Sequence, residues 1–262
     1  MRADKYFAEK FGSRTKAAEA IEKGWILVNG KAIKPKDEIK ETDEIAFIQA
    51  EESFVSNGGY KLSKAVKEFA FDCKDKIFVD IGASTGGFTD CLLQRGAKRV
   101  YAVDVGESLL HETLIGDSRI VTMEHTNARY LTRSDFPDDI DGVVTDVSFI
   151  SLRLIFPVIK EILSEAGDAF VLIKPQFECE NKNIGKSGIV HPSAHAKIVE
   201  KVVFYATENG LYPFGIVNAP VRKGKNIEYI LHVKPTYLGA KSPKETVREV
   251  EAFIKNHIST KE

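Results

Sequence analysis

Residues 1–54 break into short segments whose period changes repeatedly. Asp4–Phe11 reads as a helix ended by Gly12, and Ser13 suits the N-cap of a second helix, Arg14–Lys23, closed by Gly24. Trp25-Ile26-Leu27-Val28 has the character of a strand and runs into Asn29-Gly30, a strong hairpin-turn signal; Ile45-Ala46-Phe47-Ile48 supplies another strand. These elements predict a small α+β module, domain 1–54, with Glu51-Glu52 and then Ser56-Asn57-Gly58-Gly59 marking its boundary. From Gly59 onward strands alternate with helices. Strands are expected at Ile77–Ile81, Arg99–Val105, Ile120–Met123, Gly142–Val147, Ala169–Ile173, Leu211–Val217 and Ile227–Val233. Helices are expected at Tyr60–Ala70, Gly87–Gln94, Leu152–Leu163 and Ala194–Asn209. The alternation predicts an α/β domain, residues 55–240, whose Rossmann-like sheet of seven strands is mostly parallel and covered on both faces. Asn218–Asn226 is too short for a crossover helix, so the last two strands should pair as an antiparallel hairpin. A C-terminal helix is expected over residues 241–262.

Composition narrows the class without naming a chemistry. Hydrophobic residues make up 43% and charged residues 29% of 262, the mix of an ordinary globular protein. No apolar run approaches the roughly 18 residues that span a bilayer, and the charged N-terminus lacks the core of a secretory signal. Cys73, Cys91 and Cys179 are odd in number and far apart, which argues against a disulfide framework and fits a reducing compartment. A cytoplasmic protein with no membrane partner is expected; no protein partner can be inferred. The net charge is −1, but its distribution is uneven. Residues 1–36 carry nine Lys/Arg against four acids, a net of +5, and residues 37–55 carry a net of −6. The basic segment suits phosphate contacts; charge alone fits a solvated surface equally well.

The most informative stretch is Val79-Asp80-Ile81-Gly82-Ala83-Ser84-Thr85-Gly86-Gly87-Phe88. A buried strand ends in an acid and runs through a glycine-rich turn into a helix, where a ligand can approach the main chain closely. The next strand ends at Asp104, where a carboxylate can accept from two ribose hydroxyls. Together these indicate a nucleoside-containing cofactor. The loop is D-x-G-x-x-x-G-G rather than the dinucleotide pattern G-x-G-x-x-G, and an acid just before the glycines suits a methionine ammonium better than a pyrophosphate. S-adenosylmethionine is therefore the expected cofactor, with Asp80, Gly82, Ser84, Thr85, Gly86, Gly87, Phe88 and Asp104 as its candidate contacts. Gly185-Lys186-Ser187 lacks the first glycine of a phosphate loop. His191 and His195 lack the glutamate of a zinc helix, and no metal site is expected.

Candidate chemistry gathers at the ends of two later strands. Thr145-Asp146-Val147-Ser148-Phe149 ends the fourth and Ile173-Lys174-Pro175-Gln176-Phe177-Glu178 the fifth, both on the sheet edge that bears the cofactor loop. A lysine ammonium there can stabilise a developing alkoxide, and a carboxylate can orient it and accept a proton. Methylation of a base amine usually goes with an Asp/Asn-Pro-Pro-aromatic turn after the fourth strand, and Asp146-Val147-Ser148-Phe149 lacks both prolines. Methylation of a base carbon needs a cysteine nucleophile, and the nearest, Cys179, lies between Glu178 and Glu180, whose charges would raise its pKa.

Ser56–Lys61, the D-I-G-A-S-T-G-G-F loop, Asp146–Ser151, Lys174–Glu178 and Asn226–Tyr229 together resemble the TlyA family, ribosomal RNA 2′-O-methyltransferases historically called hemolysin A, with an FtsJ-like catalytic domain. The N-terminal segment, with Ser13-Arg14-Thr15-Lys16-Ala17 and Val28-Asn29-Gly30, resembles the RNA-binding domain first seen in a small-subunit ribosomal protein. The resemblance covers nearly the whole chain. It implies a catalytic tetrad of Lys61, Asp146, Lys174 and Glu228, with Lys174 activating a ribose 2′-hydroxyl and the others orienting and tuning it. It places Asn127 against the adenine ring and implies a cytidine of ribosomal RNA as substrate, within ribosomal subunits. The slightly short N-terminus favours the large subunit alone. Arg14, Lys16 and Lys31 are candidates for RNA phosphate contacts. The competing functions are a non-catalytic RNA-binding ribosome assembly factor and a membrane-active hemolysin. The second would need an amphipathic segment with a large apolar face and a basic one, which the chain lacks.

Overall fold

A computed structural model describes residues 1–22, 24–47, 52–180, 183–185 and 187–259. The expected helix end at Lys23, strand end at Ile48, boundary acid Glu51 and lookalike Lys186 lie outside the described residues. The chain divides into two compact units, Met1–Ser53 and Phe54–Glu262.

The first unit packs helices α1 (Ala3–Tyr6), α2 (Ala8–Phe11) and α3 (Arg14–Glu22) with strands β1 (Ile26–Val28), β2 (Lys31–Ala32) and β3 (Ile45–Phe47). The sheet is antiparallel in the order β2-β1-β3. Asn29 and Gly30 both hold positive φ, 52° and 74°, as a two-residue hairpin turn requires, and the turn pairs Val28 with Lys31. The single helix expected over Asp4–Phe11 is interrupted at Phe7, whose ring is buried with Ala3, Ala17, Ile21 and Ile26. Gly12 ends α2 in the left-handed region, φ 77°.

The second unit holds α4 (Asn57–Glu68), β4 (Ile77–Ile81), α5 (Gly87–Gln94), β5 (Arg99–Val103), β6 (Ile120–Met123), β7 (Ile140–Thr145), α6 (Phe156–Ile162), β8 (Leu163–Ile173), α7 (Pro175–Glu178), α8 (His195–Glu208), β9 (Tyr212–Asn218), β10 (Tyr229–Lys234) and α9 (Pro243–Ser259). The seven-stranded sheet runs β6-β5-β4-β7-β8-β10-β9. Five strands are parallel, and β10 runs antiparallel to both its neighbours, as the short connection required.

Strand pleating sorts the core into two layers. Ile77, Val79 and Ile81 of β4 join Val171 and Ile173 of β8 in one layer, packed with Phe156, Ile159, Val199 and Val203 from α6 and α8. Phe78 of β4 and Phe170 of β8 point the other way, toward Leu62 and Val66 of α4 and Leu92 of α5. The helix expected over Leu152–Leu163 is instead a short 3-10 turn, Leu152–Leu154, followed by α6. Pro157 accounts for the break, because a residue without an N–H fits only the first turn of an α-helix. Leu163 then begins β8 directly.

Helix α4 starts earlier than its composition suggests. Ser56 caps it, its Oγ accepting from Gly58 N at 3.3 Å, so Asn57-Gly58-Gly59 form the first turn rather than a linker. A Cβ at Gly59 would lie 2.2 Å from Cγ of Phe54, so the turn closes over that ring only because residue 59 has no side chain.

Candidate active site

The tetrad is assembled by strand direction. Asp146 follows β7, and Lys174 follows its parallel neighbour β8. Because β10 runs antiparallel to β8, pairing Tyr229 with Ile173, the residue before β10 comes to the same edge, and that residue is Glu228. Lys61 arrives from the second turn of α4. Its Nζ lies 2.8 Å from Glu228 Oε2 and 3.3 Å from Asp146 Oδ2. Lys174 Nζ lies 2.5 Å from Asp146 Oδ1, an ion pair that is not an aligned hydrogen bond. Its protons go instead to Ser148 Oγ at 2.7 Å and the Asp146 carbonyl at 3.5 Å. All four side chains are between 11% and 19% exposed, so the charges face one another in a setting where water screens them weakly. Two ammoniums and two carboxylates alternate, and Asp146 joins the two lysines.

The glycine-rich turn lies beside this cluster. Gly82 has φ 83°, and a Cβ there would stand 3.1 Å from the Asp146 carbonyl, so only glycine lets the loop pass this close. Asp104 is fixed from both sides, Ser84 N donating to Oδ2 and Gly106 N to Oδ1, each at 2.9 Å. Each oxygen keeps a lone pair for a hydroxyl. A groove of about 330 Å³ runs between Val103, Leu109, Val147 and Ile150, with Asp104 and Asn127 among its polar groups. A smaller pocket of about 170 Å³ continues past Ser84 and Gly87 to Lys174. The two share Gly82, Ser84, Asp146 and Ser148. An apolar slot with ribose acceptors, joined to a polar pocket beside a helix N-terminus, fits an elongated nucleoside–amino acid such as S-adenosylmethionine.

The other candidates are placed unevenly. Ser84 and Thr85 are exposed on the loop, and Gly86 and Gly87 are buried at the start of α5. Phe88 is buried among Leu62, Cys91 and Leu92, with part of it reaching the smaller pocket. Asn127 lines the groove while its Oδ1 accepts from Arg129 N and Nε, both at 3.2 Å. Asp80 is fully buried and is not on the wall of either cavity. Pleating puts it on the Phe78 face, toward α5, where Oδ2 accepts from Thr89 N at 2.9 Å and Thr89 Oγ1 at 2.7 Å. Among the described residues its Oδ1 has no partner, which leaves a buried acceptor open to a donor from a ligand. Burial pushes its pKa up to about 7; the Thr89 hydroxyl opposes this, and the Asp146 charge adds to it. Burial also raises the Cys179 thiol, which leaves it a poor nucleophile.

Sequence reading passed over three residues that lie close along the chain to Asp146 or Lys174. Ser148 holds Lys174. Phe149 stands at φ 63° with 90% exposure, an aromatic face on the rim of the groove. Gln176, two residues after Lys174, keeps a buried Oε1 with no partner. Strained backbone and an orphaned amide are tertiary properties, so only adjacency to Asp146 and Lys174 could have flagged them. In the first unit, Arg14 and Lys16 occupy the first turn of α3 and Lys31 the edge strand β2, all exposed. Arg14 donates to Asp4 Oδ2 at 2.9 Å, and the two guanidiniums beside Asp4, from Arg14 first and then Arg2, hold that carboxyl below the usual range.

The FtsJ-like methyltransferase model matches residues 54–234. The chain belongs to the FtsJ-like methyltransferases. The unit that precedes this methyltransferase is an S4 domain, matched over residues 1–45. Among relatives of the FtsJ-like chain, hemolysin A of Brachyspira hyodysenteriae is 41% identical across 88% of this chain and 99% of its own. The 16S/23S rRNA (cytidine-2'-O)-methyltransferase TlyA of Mycobacterium tuberculosis is 38% identical across 85% of this chain and 84% of its own. A solved structure from Streptococcus thermophilus, described as a hemolysin, superposes on the methyltransferase and its S4 domain with a TM-score of 0.70 at 37% identity, covering 99% of this chain and 98% of that one.

Proposed function

We propose that this FtsJ-like methyltransferase moves a methyl group from S-adenosylmethionine to the 2′-hydroxyl of a cytidine in ribosomal RNA. The observation that carries the reading is the alternating cluster Glu228–Lys61–Asp146–Lys174, with ion-pair distances of 2.8, 3.3 and 2.5 Å, at the mouth of the glycine-rich loop. An arrangement with two lysines and no nucleophilic cysteine suits a hydroxyl acceptor better than a base carbon or amine. The cytidine assignment is supported by the activity named for the M. tuberculosis relative, and the S4 domain at the N-terminus supports an RNA substrate.

When bound, S-adenosylmethionine supplies an electrophilic methyl carbon on a sulfonium sulfur. Asp104 and Asn127 would hold its adenosine, and the turn Gly82–Gly87 its amino-acid end. Lys174 is the group placed to stabilise negative charge on the 2′-oxygen, because its ammonium lies at the junction of the cofactor pocket and the tetrad. Asp146 Oδ1 keeps an unfilled acceptor position and can take the hydroxyl proton. Lys61, held by Glu228, fixes the other oxygen of Asp146, so the carboxylate cannot turn away from Lys174. Fixed positions of this kind supply much of the acceleration in a transfer between two bound partners.

The chain and its Lys174→Ala variant should be incubated with labelled S-adenosylmethionine and unmethylated small and large ribosomal subunits, and the product mapped by mass spectrometry. Label on one cytidine ribose is expected, falling by about 100-fold or more in the variant. Label on a base would contradict the tetrad reading. Cofactor binding without label on any RNA would leave an RNA-binding assembly factor. As to the hemolysin name among the relatives, no helix of the described residues is long and apolar enough to cross a membrane.

A further inference from the structure

The tetrad has two open sides. On the Asp146 and Lys174 side lie the two cavities suited to the cofactor. On the Lys61 and Glu228 side lies a separate cavity of about 150 Å³, walled by Tyr60 and Gln176 and closed by the β9–β10 connection through Arg222, Lys225 and Asn226. An acceptor oxygen approaching opposite the cofactor has to come from this second side.

We propose that this second cavity binds a phosphodiester of the RNA strand beside the acceptor ribose, with Arg222 and Lys225 as its phosphate-binding residues. The inference rests on the methyltransferase reading above. Both side chains are exposed, and neither makes an ion pair or a hydrogen bond among the described residues. The one carboxylate in the cavity wall, Glu228, is already engaged by Lys61 at 2.8 Å. Two cations therefore stand without counter-charge in a cavity that touches the tetrad, within a chain whose net charge is −1. An anion from outside is what such a cavity lacks.

The loop is also held in place. Asn226 Oδ1 accepts from Val190 N at 2.8 Å, and its Nδ2 donates to the Gly188 carbonyl at 3.0 Å. Lys225 N donates to the Arg222 carbonyl at 3.2 Å, a turn that keeps the two residues close along the chain. Gln176 also lines the cavity, and its buried Oε1 has no partner among the described residues; as an acceptor it suits a ribose hydroxyl beside the phosphate rather than the phosphate itself. In RNA the carbon next to the 2′-hydroxyl bears the 3′-phosphodiester. A ribose delivered to the tetrad thus brings a phosphate to its flank, and guanidinium and ammonium groups are the side chains that bind it.

The test compares wild-type protein with Arg222→Ala, Lys225→Ala and Lys223→Ala, using unmethylated ribosomal subunits and labelled S-adenosylmethionine at several salt concentrations. Lys223 belongs to the same loop and is exposed, but it is not part of the cavity wall. Arg222→Ala and Lys225→Ala should each raise KM for the subunits several-fold, with kcat and the cofactor Kd within about twofold of wild type. Each should also reduce the slope of log KM against log salt by about 0.7 to 0.9. Lys223→Ala should do little to either quantity. Wild-type activity with unchanged KM and salt slope in both cavity variants would overturn the phosphate site alone. So would an equal effect of Lys223→Ala, which would assign the attraction to the charge of the loop as a whole. Absence of RNA methylation by the wild type would remove the underlying function and this inference with it.

Discussion

A Cβ placed on Gly87 would stand 2.1 Å from the Oγ of Ser56. The start of α5, which carries the cofactor turn, is thereby in backbone contact with the N-cap of α4, which carries Lys61. Gly87→Ala is expected to push the two helices apart. Overpacking of this kind costs about 1–3 kcal/mol, and a small displacement of Lys61 should slow methyl transfer by about 100-fold. Thermal denaturation and single-turnover rates would check both. An alanine variant with unaltered melting and rate would show that α4 can slide without consequence.

Asp80 gives the unliganded protein a pH dependence of unusual sign. Its folded pKa is pushed up to about 7, chiefly by burial, against about 3.9 in an unfolded chain. Between these values the folded state holds a proton that the unfolded state has lost. Stability should therefore decline as pH rises from about 4 to about 7 and level off above, by at most roughly 4 kcal/mol. Asp80→Asn should abolish the decline, which urea midpoints between pH 5 and 8 would reveal. Parallel curves for the two proteins would contradict the assignment.

Asp168 behaves in the opposite way at the far end of the same sheet. Burial alone would raise it, but His232 Nε2 at 2.6 Å and Lys234 Nζ at 2.8 Å outweigh that and hold its carboxyl below the usual range. Its contribution is complete above the unfolded pKa of about 3.9 and is lost as pH falls through the lower folded value. Asp168→Asn should cost about 3 kcal/mol near pH 7, since it leaves the Lys234 ammonium without its carboxylate and the His232 ring without its acceptor. The gap from wild type should close in strong acid. Methyl transfer below the melting temperature should be unaffected, because Lys174 lies past the end of β8, six residues beyond Asp168.

The three candidate phosphate contacts of the S4 domain, Arg14, Lys16 and Lys31, should separate into two kinds. Lys16→Ala and Lys31→Ala are expected to weaken binding to ribosomal subunits, with slopes against salt reduced by about one each and melting unchanged. Arg14→Ala should do the same and also lower the melting temperature slightly, because it removes one of two guanidiniums from Asp4. Filter binding and calorimetry on each single variant would distinguish them. Retention of wild-type affinity in all three would place the RNA contact elsewhere.

Much of the site was legible because strands end where chemistry begins. Asp146 and Lys174 follow buried apolar runs, and their meeting needed only parallel neighbours. Lys61 and Glu228 were named only through the family resemblance; the hairpin direction explains afterwards why Glu228 reaches the same edge. Other features depend on contacts between distant segments and leave no local trace. Ser56–Gly59 has the composition of a linker, yet it is a capped helical turn because Phe54 and Gly87 press against it. The cavity beside Glu228 draws on residues from α4, α7 and the β9–β10 connection, three stretches with no sequence relation to one another. Asp80 was readable in principle, since alternation along β4 puts it with Phe78. Its place before the glycines suggested a contact with the cofactor's ammonium instead.

The reversed strand β10 has a consequence for how such a sheet can change its target. A parallel strand would need a helix to return the chain, and any change of length there would disturb a packed layer. A hairpin returns it through a loop fixed at two ends, and lengthening a loop costs little free energy. The cofactor half, β4 to β6, and the recognition half, ending in this hairpin, are thus separable under mutation. The tip can gain, lose or recharge residues next to Glu228 while the nucleoside pocket keeps its shape. Diversification of substrate choice in this architecture therefore has an inexpensive route, and it lies within one short loop.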